Sequence, residues 1–268
     1  MKRRLRQRQI LDLLSAHAEL SVEEACTKLG ASPATVRREF ALLAQERRVA
    51  KTWGGIRAQE EAAGHLRPPA FATRLISQAD EKKRIARAAA DLLRDGDVVM
   101  IDGGTTTLQL AEFIALKRIR VITNSLAIAI ALDEHRGSRL GAEIHLTGGL
   151  LQPESGFVAG PQAEAFIRRY HASWAFLGAA GVDEHSATNY NEAVLESERL
   201  MIAQSERVAL LVDHTKLGRR AMCELCPINE IDRLITTETA GTMPLLEDVA
   251  DSGVTIERVG DSASSSDK

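Results

Sequence analysis

SPATVRREFALLAQERRVAKTWGGI, Ser32 to Ile56, decides how the front of this 268-residue chain is read. Ser32 offers a capping hydroxyl, and Pro33 falls at the first helical position, where its missing N–H costs nothing. Val36, Phe40 and Leu43 share one face of the helix that follows, leaving Thr35, Arg37 and Arg38 on the solvent side. Arg47-Arg48-Val49-Ala50-Lys51-Thr52 then reads as a strand and Trp53-Gly54-Gly55 as its turn. Upstream, Ser21-Val22-Glu23-Glu24 is a capping box that opens another helix, ended by Gly30. A first helix is expected from Arg3 to His17, with Leu5, Ile10, Leu11, Leu13 and Leu14 at helical spacing. The tight join at Gly30 forces a steep helix crossing, so residues 3–58 are expected to form a winged helix-turn-helix.

Such a module places one helix in a DNA major groove and a hairpin against the neighbouring backbone. Arg37 and Arg38 suit guanine edges or phosphates, because the guanidinium fork meets either with two hydrogen bonds. Ser32 and Thr35 lie at the helix N-terminus, where hydroxyls and open amides can hold a phosphate oxygen, and Lys51 would ride the wing. Charge agrees with this placement. Met1 to Ala58 carries 12 Lys/Arg against 6 Asp/Glu, leaving 22 against 31 for the remainder, so a net −3 hides a basic head on an acidic body. The alternative is a solvated charged surface that binds nothing.

The length fits one small and one medium domain, and 44 % hydrophobic with 26 % charged residues is ordinary globular composition. No apolar run approaches the ~18 residues of a membrane span, and the basic N-terminus has no uninterrupted apolar segment of a secretory signal. Three cysteines, Cys26, Cys223 and Cys226, suggest a reducing compartment, and the cytoplasm is expected. Residues 59–78, with Pro68-Pro69, read as a linker, 79–260 as the larger domain and 261–268 as a disordered tail.

Within 79–260 short apolar strands alternate with helices: Lys82–Arg94 helical, Val98–Ile101 a buried strand, Leu108–Leu116 helical, Val121–Thr123 a strand. Further strands are expected at Glu143–Leu146, Trp174–Leu177, Val208–Val212, Arg233–Ile235 and Val254–Glu257. That alternation predicts a Rossmann-like, mainly parallel α/β sheet, whose ligands bind outside the C-terminal strand ends. Five strand ends are polar or glycine-bearing. Asp102-Gly103-Gly104-Thr105-Thr106-Thr107 offers open amides and hydroxyls as an anion cradle, without the Walker lysine or a GxGxxG pattern. Thr123-Asn124-Ser125, Thr147-Gly148-Gly149 and Gly178-Ala179-Ala180-Gly181 end three others, and Asp213-His214-Thr215-Lys216 brings a cation.

Taken together, these segments resemble the DeoR family of bacterial transcriptional regulators over almost the whole chain. The likeness rests on the basic first helix, Ser32-x-x-Thr35-Val36-Arg37-Arg38, the Gly54-Gly55 wing, and the five strand-end motifs in their order. Glu39-Phe40 stands where the family usually has Asp-Leu, and Thr52-Trp53 where a basic residue or His is common. The resemblance implies a sensor domain of the ribose-5-phosphate isomerase type that binds phosphorylated sugars or related metabolites. It places the phosphate on Gly104, Thr105, Thr106 and Thr107, the polar body against Asn124 and Ser125, and Lys216 as counter-charge. Asp102, Gly103, Gly149 and Gly178 complete the expected effector site.

The expected function is therefore a repressor of a carbohydrate operon that binds an operator duplex as a homo-oligomer, dimer or tetramer, and needs no cofactor. A sugar-phosphate isomerase with a DNA-binding head is the rival reading. It would need a carboxylate base, and Asp102, Asp183, Glu192 and Asp213 are available, but Gly178-Ala179-Ala180-Gly181 is apolar where acidic residues would serve. A ligand-free architectural DNA binder is the third. Cys223-x-x-Cys226 has half a zinc spacing, with His214 upstream, and is read as an ordinary loop with no metal.

Overall fold

In the computed structural model, residues 6–7, 9–10, 13, 19–45, 49–52, 54–58, 71–152, 155–239 and 241–260 are described. They belong to two units, Met1–Ile76 and Ser77–Lys268. The expected linker core, the proline pair and the C-terminal tail lie outside the described residues, as do Arg47, Arg48 and Trp53.

In the first unit Arg6, Gln7, Gln9, Ile10 and Leu13 are helical. Strand β1 (Glu19–Ser21) leads into helices α1 (Val22–Leu29) and α2 (Pro33–Gln45), then strands β2 (Val49–Thr52) and β3 (Gly55–Ala58), and helix α3 (Phe71–Ile76). The capping box forms: Ser21 Oγ accepts from the Glu24 amide at 3.2 Å, and Glu24 Oε2 accepts from the Ser21 amide at 3.0 Å. Gly30 closes α1 at φ 59°. Strand β1 was not expected, being too short for periodicity to register. It pairs antiparallel with β3, and β3 with β2, giving the order β1-β3-β2. The Gly54-Gly55 pair then has two separate reasons. Gly54 turns at φ +99°, while a Cβ on Gly55 would lie 2.4 Å from the Leu20 carbonyl of β1. Ile10, Leu20, Ala25, Val36, Phe40, Leu43 and Ile56 form the core.

The second unit runs α4 (Ala79–Asp91), β4 (Val98–Ile101), a 3-10 turn (Thr107–Gln109), α5 (Leu110–Ile114), β5 (Arg120–Thr123), α6 (Leu126–Arg136) and β6 (Glu143–Leu146). A hairpin, β7 (Leu150–Leu151) and β8 (Val158–Ala159), precedes α7 (Pro161–Ile167), β9 (Trp174–Leu177), β10 (Gly181–Val182), β11 (Ser186–Asn189) and α8 (Glu192–Ala203). The chain continues through β12 (Val208–Val212), a 3-10 turn (His214–Lys216), β13 (Cys223–Pro227), a further 3-10 turn (Ile228–Glu230), β14 (Arg233–Thr236), α9 (Met243–Asp251) and β15 (Thr255–Arg258). Seven strands make one sheet in the order β15-β14-β12-β9-β4-β5-β6, every pair parallel.

Alternation explains why helices cover both faces. Met100, Leu177, Leu210 and Leu234 point into one core with Ile167, Met201 and Leu246. Val99, Ile101, Phe176, Leu211 and Ile235 point into the other with Ile85, Leu110, Ile114 and Ile128. Each buried aliphatic side chain contributes about 1.5–3 kcal/mol. The strand order reverses between β4 and β9, and such sheets bind their ligands at the C-terminal ends beside this switch point. A separate antiparallel sheet, β10-β11-β13, was not anticipated.

Candidate nucleic-acid interface and effector site

On α2 the inner face is as expected, with Val36, Phe40 and Leu43 buried and Arg37 and Arg38 exposed. Ser32 caps the helix: its carbonyl accepts from the Val36 amide at 3.0 Å, and its hydroxyl lies 2.9 Å from that of Thr35. Lys51 is exposed on β2. Glu39 is only 3 % exposed, although it lies on a helix read for its arginines. Arg6 donates to Glu39 Oε1 through both Nε and Nη2, at 3.1 and 2.5 Å, and Gln7 Nε2 donates to Oε2 at 2.9 Å. A buried carboxylate is tolerable only with such donors, so this cluster ties the first helical residues to the recognition helix. Its signal was readable: Val36, Glu39, Phe40 and Leu43 fall on one helical stripe.

In the second unit the five motifs end five neighbouring strands. In sheet order these are Thr147 after β6, Asn124 after β5, Asp102 after β4, Gly178 after β9 and Asp213 after β12. The Asp102–Thr107 turn stands at the switch point. Its main-chain N–H groups from Gly104 to Thr107 donate to no backbone acceptor among the described residues. They point the turn toward anion binding without a long helix behind it, since only a 3-10 turn and the five-residue α5 follow.

Several expected ligand groups make hydrogen bonds within the site itself. Thr107 Oγ1 donates to the Asp102 carbonyl at 2.7 Å and lies 3.1 Å from that of Gly104, leaving Thr105 and Thr106 as the turn's remaining hydroxyls. Asn124 is fully buried; its Oδ1 accepts from the Gly103 amide at 2.9 Å and its Nδ2 donates to Asp102 Oδ1 at 2.8 Å. Ser125 Oγ accepts from the Ile128 amide at 3.3 Å and caps α6. Gly103 and Gly104 do not adopt positive φ. A Cβ on Gly103 would lie 3.2 Å from that of Phe157, and one on Gly104 would lie 2.9 Å from Thr107 Oγ1. Gly149 takes φ +117° with the Ala159 carbonyl 2.6 Å from a Cβ, so it shapes the hairpin base. A Cβ on Gly178 would meet nothing within 4 Å. Lys216 ends the 3-10 turn capped by Asp213, whose Oδ1 accepts from the Thr215 amide at 3.0 Å.

Sequence reasoning missed the residue that most alters this site. Glu198 on α8 is 2 % exposed, its Oε1 accepting from Asn189 Nδ2 at 2.8 Å. Its carboxyl lies against that of Asp102, and no N–H or O–H group donates to Oε2 among the described residues. Burial, then the Asp102 charge, push Glu198 well above the ordinary carboxyl value of 4.5; the Asn189 bond and Arg199 on the same helix oppose this. Packed against α8, β13 brings Glu224 and the Cys226 thiol, α7 brings Glu164, and β8 and β9 bring no ionisable side chain. Burial, with Glu230, Glu198 and Glu224 nearby, pushes Cys226 up to about 12, so it is an inert thiol at neutral pH.

The other carboxylates considered for catalysis have structural partners or lie outside. Burial works to raise Asp183, but the amides of His185 and Ser186 and the Arg220 guanidinium outweigh it and hold the group below its ordinary value. Glu192 is exposed at the start of α8. Among the described residues no three His, Cys, Asp or Glu side chains are placed to hold a metal. His214 instead meets Glu81, Nδ1 to Oε2 at 2.8 Å. No helix among the described residues is long and apolar enough to cross a membrane.

A basic winged helix-turn-helix and a doubly wound sheet with polar strand tips define a ligand-sensing transcriptional regulator. The chain belongs to the DeoR family: the DeoR-like helix-turn-helix domain matches residues 6–62 and the DeoR C terminal sensor domain matches residues 77–238. It is thus a DNA-binding transcriptional regulator, and its relatives' names are those of regulators rather than enzymes. It is 35% identical over 227 residues to the HTH-type transcriptional repressor GlcR of Bacillus subtilis (strain 168), covering 85% of each chain. It is 32% identical to the HTH-type transcriptional regulator GlpR of Haloferax volcanii, over 94% of this chain and 96% of that one. The Glycerol-3-phosphate regulon repressor of Escherichia coli (strain K12) is 29% identical over 88% of this chain and 91% of its own. Ribose 5-phosphate isomerase A of Methanocaldococcus jannaschii is 17% identical with a TM-score of 0.38, covering 53% of this chain and 55% of that one.

Proposed function

We propose that this regulator represses a carbohydrate-utilisation operon and loosens its hold on the operator when a phosphorylated sugar or related metabolite occupies the sensor sheet. The observation that carries the reading is the alignment of five polar or glycine-bearing tips along one edge of five adjacent parallel strands. The phosphate lies on the amides of Gly104 to Thr107 with the Thr105 and Thr106 hydroxyls, and Lys216 supplies the counter-charge. Gly178 leaves room for the ligand body beside the switch point. Asp102, Asn124, Ser125, Gly103 and Gly149 act by shaping that edge. In the head, Arg37 and Arg38 reach guanine edges or phosphates, Ser32 and Thr35 hold a phosphate oxygen, and Lys51 meets the flanking backbone. The active species is a cytoplasmic homo-oligomer, because two heads on a repeated operator give both register and avidity.

Response follows from linkage: a ligand preferring the conformation that binds DNA poorly weakens operator affinity by a coupling of about 1–3 kcal/mol. A thermal-shift screen against phosphorylated sugars tests this, since a ligand at a hundred times its Kd adds about 2.7 kcal/mol of stability. Lys216→Ala is then expected to keep operator affinity and blunt the metabolite response at least tenfold. If no sugar phosphate changes either stability or operator affinity, the sensor reading is wrong.

A further inference from the structure

Four side chains form one continuous line across the switch point. Asn189 Nδ2 donates to Glu198 Oε1 at 2.8 Å, Glu198 lies against Asp102, Asn124 Nδ2 donates to Asp102 Oδ1 at 2.8 Å, and the Gly103 amide donates to Asn124 Oδ1 at 2.9 Å. The Gly103 N–H fixes which way the Asn124 amide faces, because only its oxygen can accept there. Its nitrogen therefore meets Asp102, which must be an acceptor at that oxygen. One step remains without a donor. Two carboxylates cannot both be ionised side by side while each is less than 5 % exposed, and Glu198 Oε2 has no N–H or O–H partner among the described residues. A single proton on the pair removes the repulsion and fills the missing donor position, and burial favours Glu198 as its holder.

We propose that Glu198 is a positioning residue: protonated, it donates to Asp102 and, through Asp102 and Asn124, holds Gly103 and the amides that follow it in the geometry that receives an anion. Glu198 touches no ligand in this account. It sits on α8, beyond β9, and acts on a turn that follows β4. The inference deepens the proposed effector site and rests on that reading only for the anion; the relay itself is a property of the unliganded chain.

Two isosteric variants of the full-length protein separate the relay from mere packing. In Glu198→Gln the side-chain oxygen still accepts from Asn189 while the nitrogen donates to Asp102, copying the protonated acid. Glu198→Met fills the same space with no donor. Hydrogen exchange of a peptide spanning residues 101–108 is the main readout and needs no ligand. Protection equal to wild type in Glu198→Gln, with at least tenfold faster exchange in Glu198→Met at an unchanged Tm, is expected. Equal protection in both variants overturns the relay. Infrared spectroscopy at pH 7.5 should show a protonated-carboxyl C=O band in wild type that Glu198→Gln lacks, and a wild type without the band overturns the shared proton. Glucose 6-phosphate and glycerol 3-phosphate serve as probes for the anion: affinity should fall at least tenfold in Glu198→Met but not in Glu198→Gln. Should neither probe nor any other sugar phosphate bind wild type while exchange and infrared behave as expected, the effector reading fails and the relay stands.

Discussion

Among the described residues each unit buries one glutamate on the apolar stripe of a helix, and the two are compensated in opposite ways. Glu39 on α2 receives a doubly bonded arginine and a glutamine amide. Glu198 on α8 receives one asparagine amide and faces another carboxylate. A buried charge with a matched cation is a fixed staple, indifferent to small changes around it. A buried acid beside a second acid depends on a proton and on its neighbours' polarity. The head, which on the proposed reading presents Arg37 and Arg38 to DNA, has the staple. The sensor, which on the proposed reading responds to an anion, has the acid pair.

The largest expected effect lies on the exposed side of the staple. Replacing Arg37 and Arg38 together by Ala removes up to two bidentate contacts, each worth about 1–3 kcal/mol, so operator affinity should fall by at least a hundredfold. The salt dependence of the residual binding should flatten as well. Specific binding retained in a mobility-shift titration would show that α2 does not read the duplex.

Glu39→Ala attacks the staple itself. It removes the Glu39 carboxylate from Arg6 and Gln7 and should destabilise the head by about 2–3 kcal/mol, below the usual cost of breaking a fully buried pair because Arg6 keeps some access to water. Denaturant melts of the head are the check, and a loss under about 0.5 kcal/mol would reduce the cluster to a surface ion pair.

Glycines along the sensor edge sharpen the contrast between framework and room for a ligand. Gly149→Ala places a methyl against the Ala159 carbonyl at a backbone conformation L-residues avoid, and should cost about 2–3 kcal/mol. Gly178→Ala meets nothing within 4 Å and should stay within about 0.5 kcal/mol of wild type. Similar losses in thermal unfolding would mean that both tips are structural.

Much of this was legible in the sequence, and what was not has identifiable causes. The Ser32-Pro33 start, the capping box at Ser21 and the parallel strands declared themselves because each is fixed by local chemistry or by a continuous apolar run. Helix α6 was hidden, since Leu126-Ala-Ile-Ala-Ile-Ala-Leu132 alternates like a strand; what makes it a helix is the Ser125 cap and burial of Ile128 and Leu132. Strand β1 exists only through its pairing with β3. Asn124 and Ser125 have the chemistry of ligand contacts, and the bonds they make to Gly103, Asp102 and Ile128 inside the loops became visible only in the fold. Glu198 was findable: Val194, Leu195, Glu198 and Met201 make one helical stripe, and a lone acid on such a stripe asks for a partner. That Asp102, distant in sequence, is the partner required the fold.

The one expected change that adds stability separates the two buried glutamates most cleanly. Glu198 has a native value well above 4.5, so the native state keeps a proton that the unfolded chain releases above that pH. Stability is therefore fully present below about pH 4.3 and declines as pH rises toward the raised native value, by about 1.4 kcal/mol for each unit of difference. Glu198→Gln keeps both hydrogen bonds and cannot titrate. Its stability should match wild type near pH 4.5 and exceed it increasingly by pH 8.5, in urea melts followed by Trp174 fluorescence with Trp53→Phe in both proteins. A difference between Glu198→Gln and wild type that stays constant over this pH range would mean that Glu198 is ionised in the native state, and the contrast between staple and acid pair would vanish.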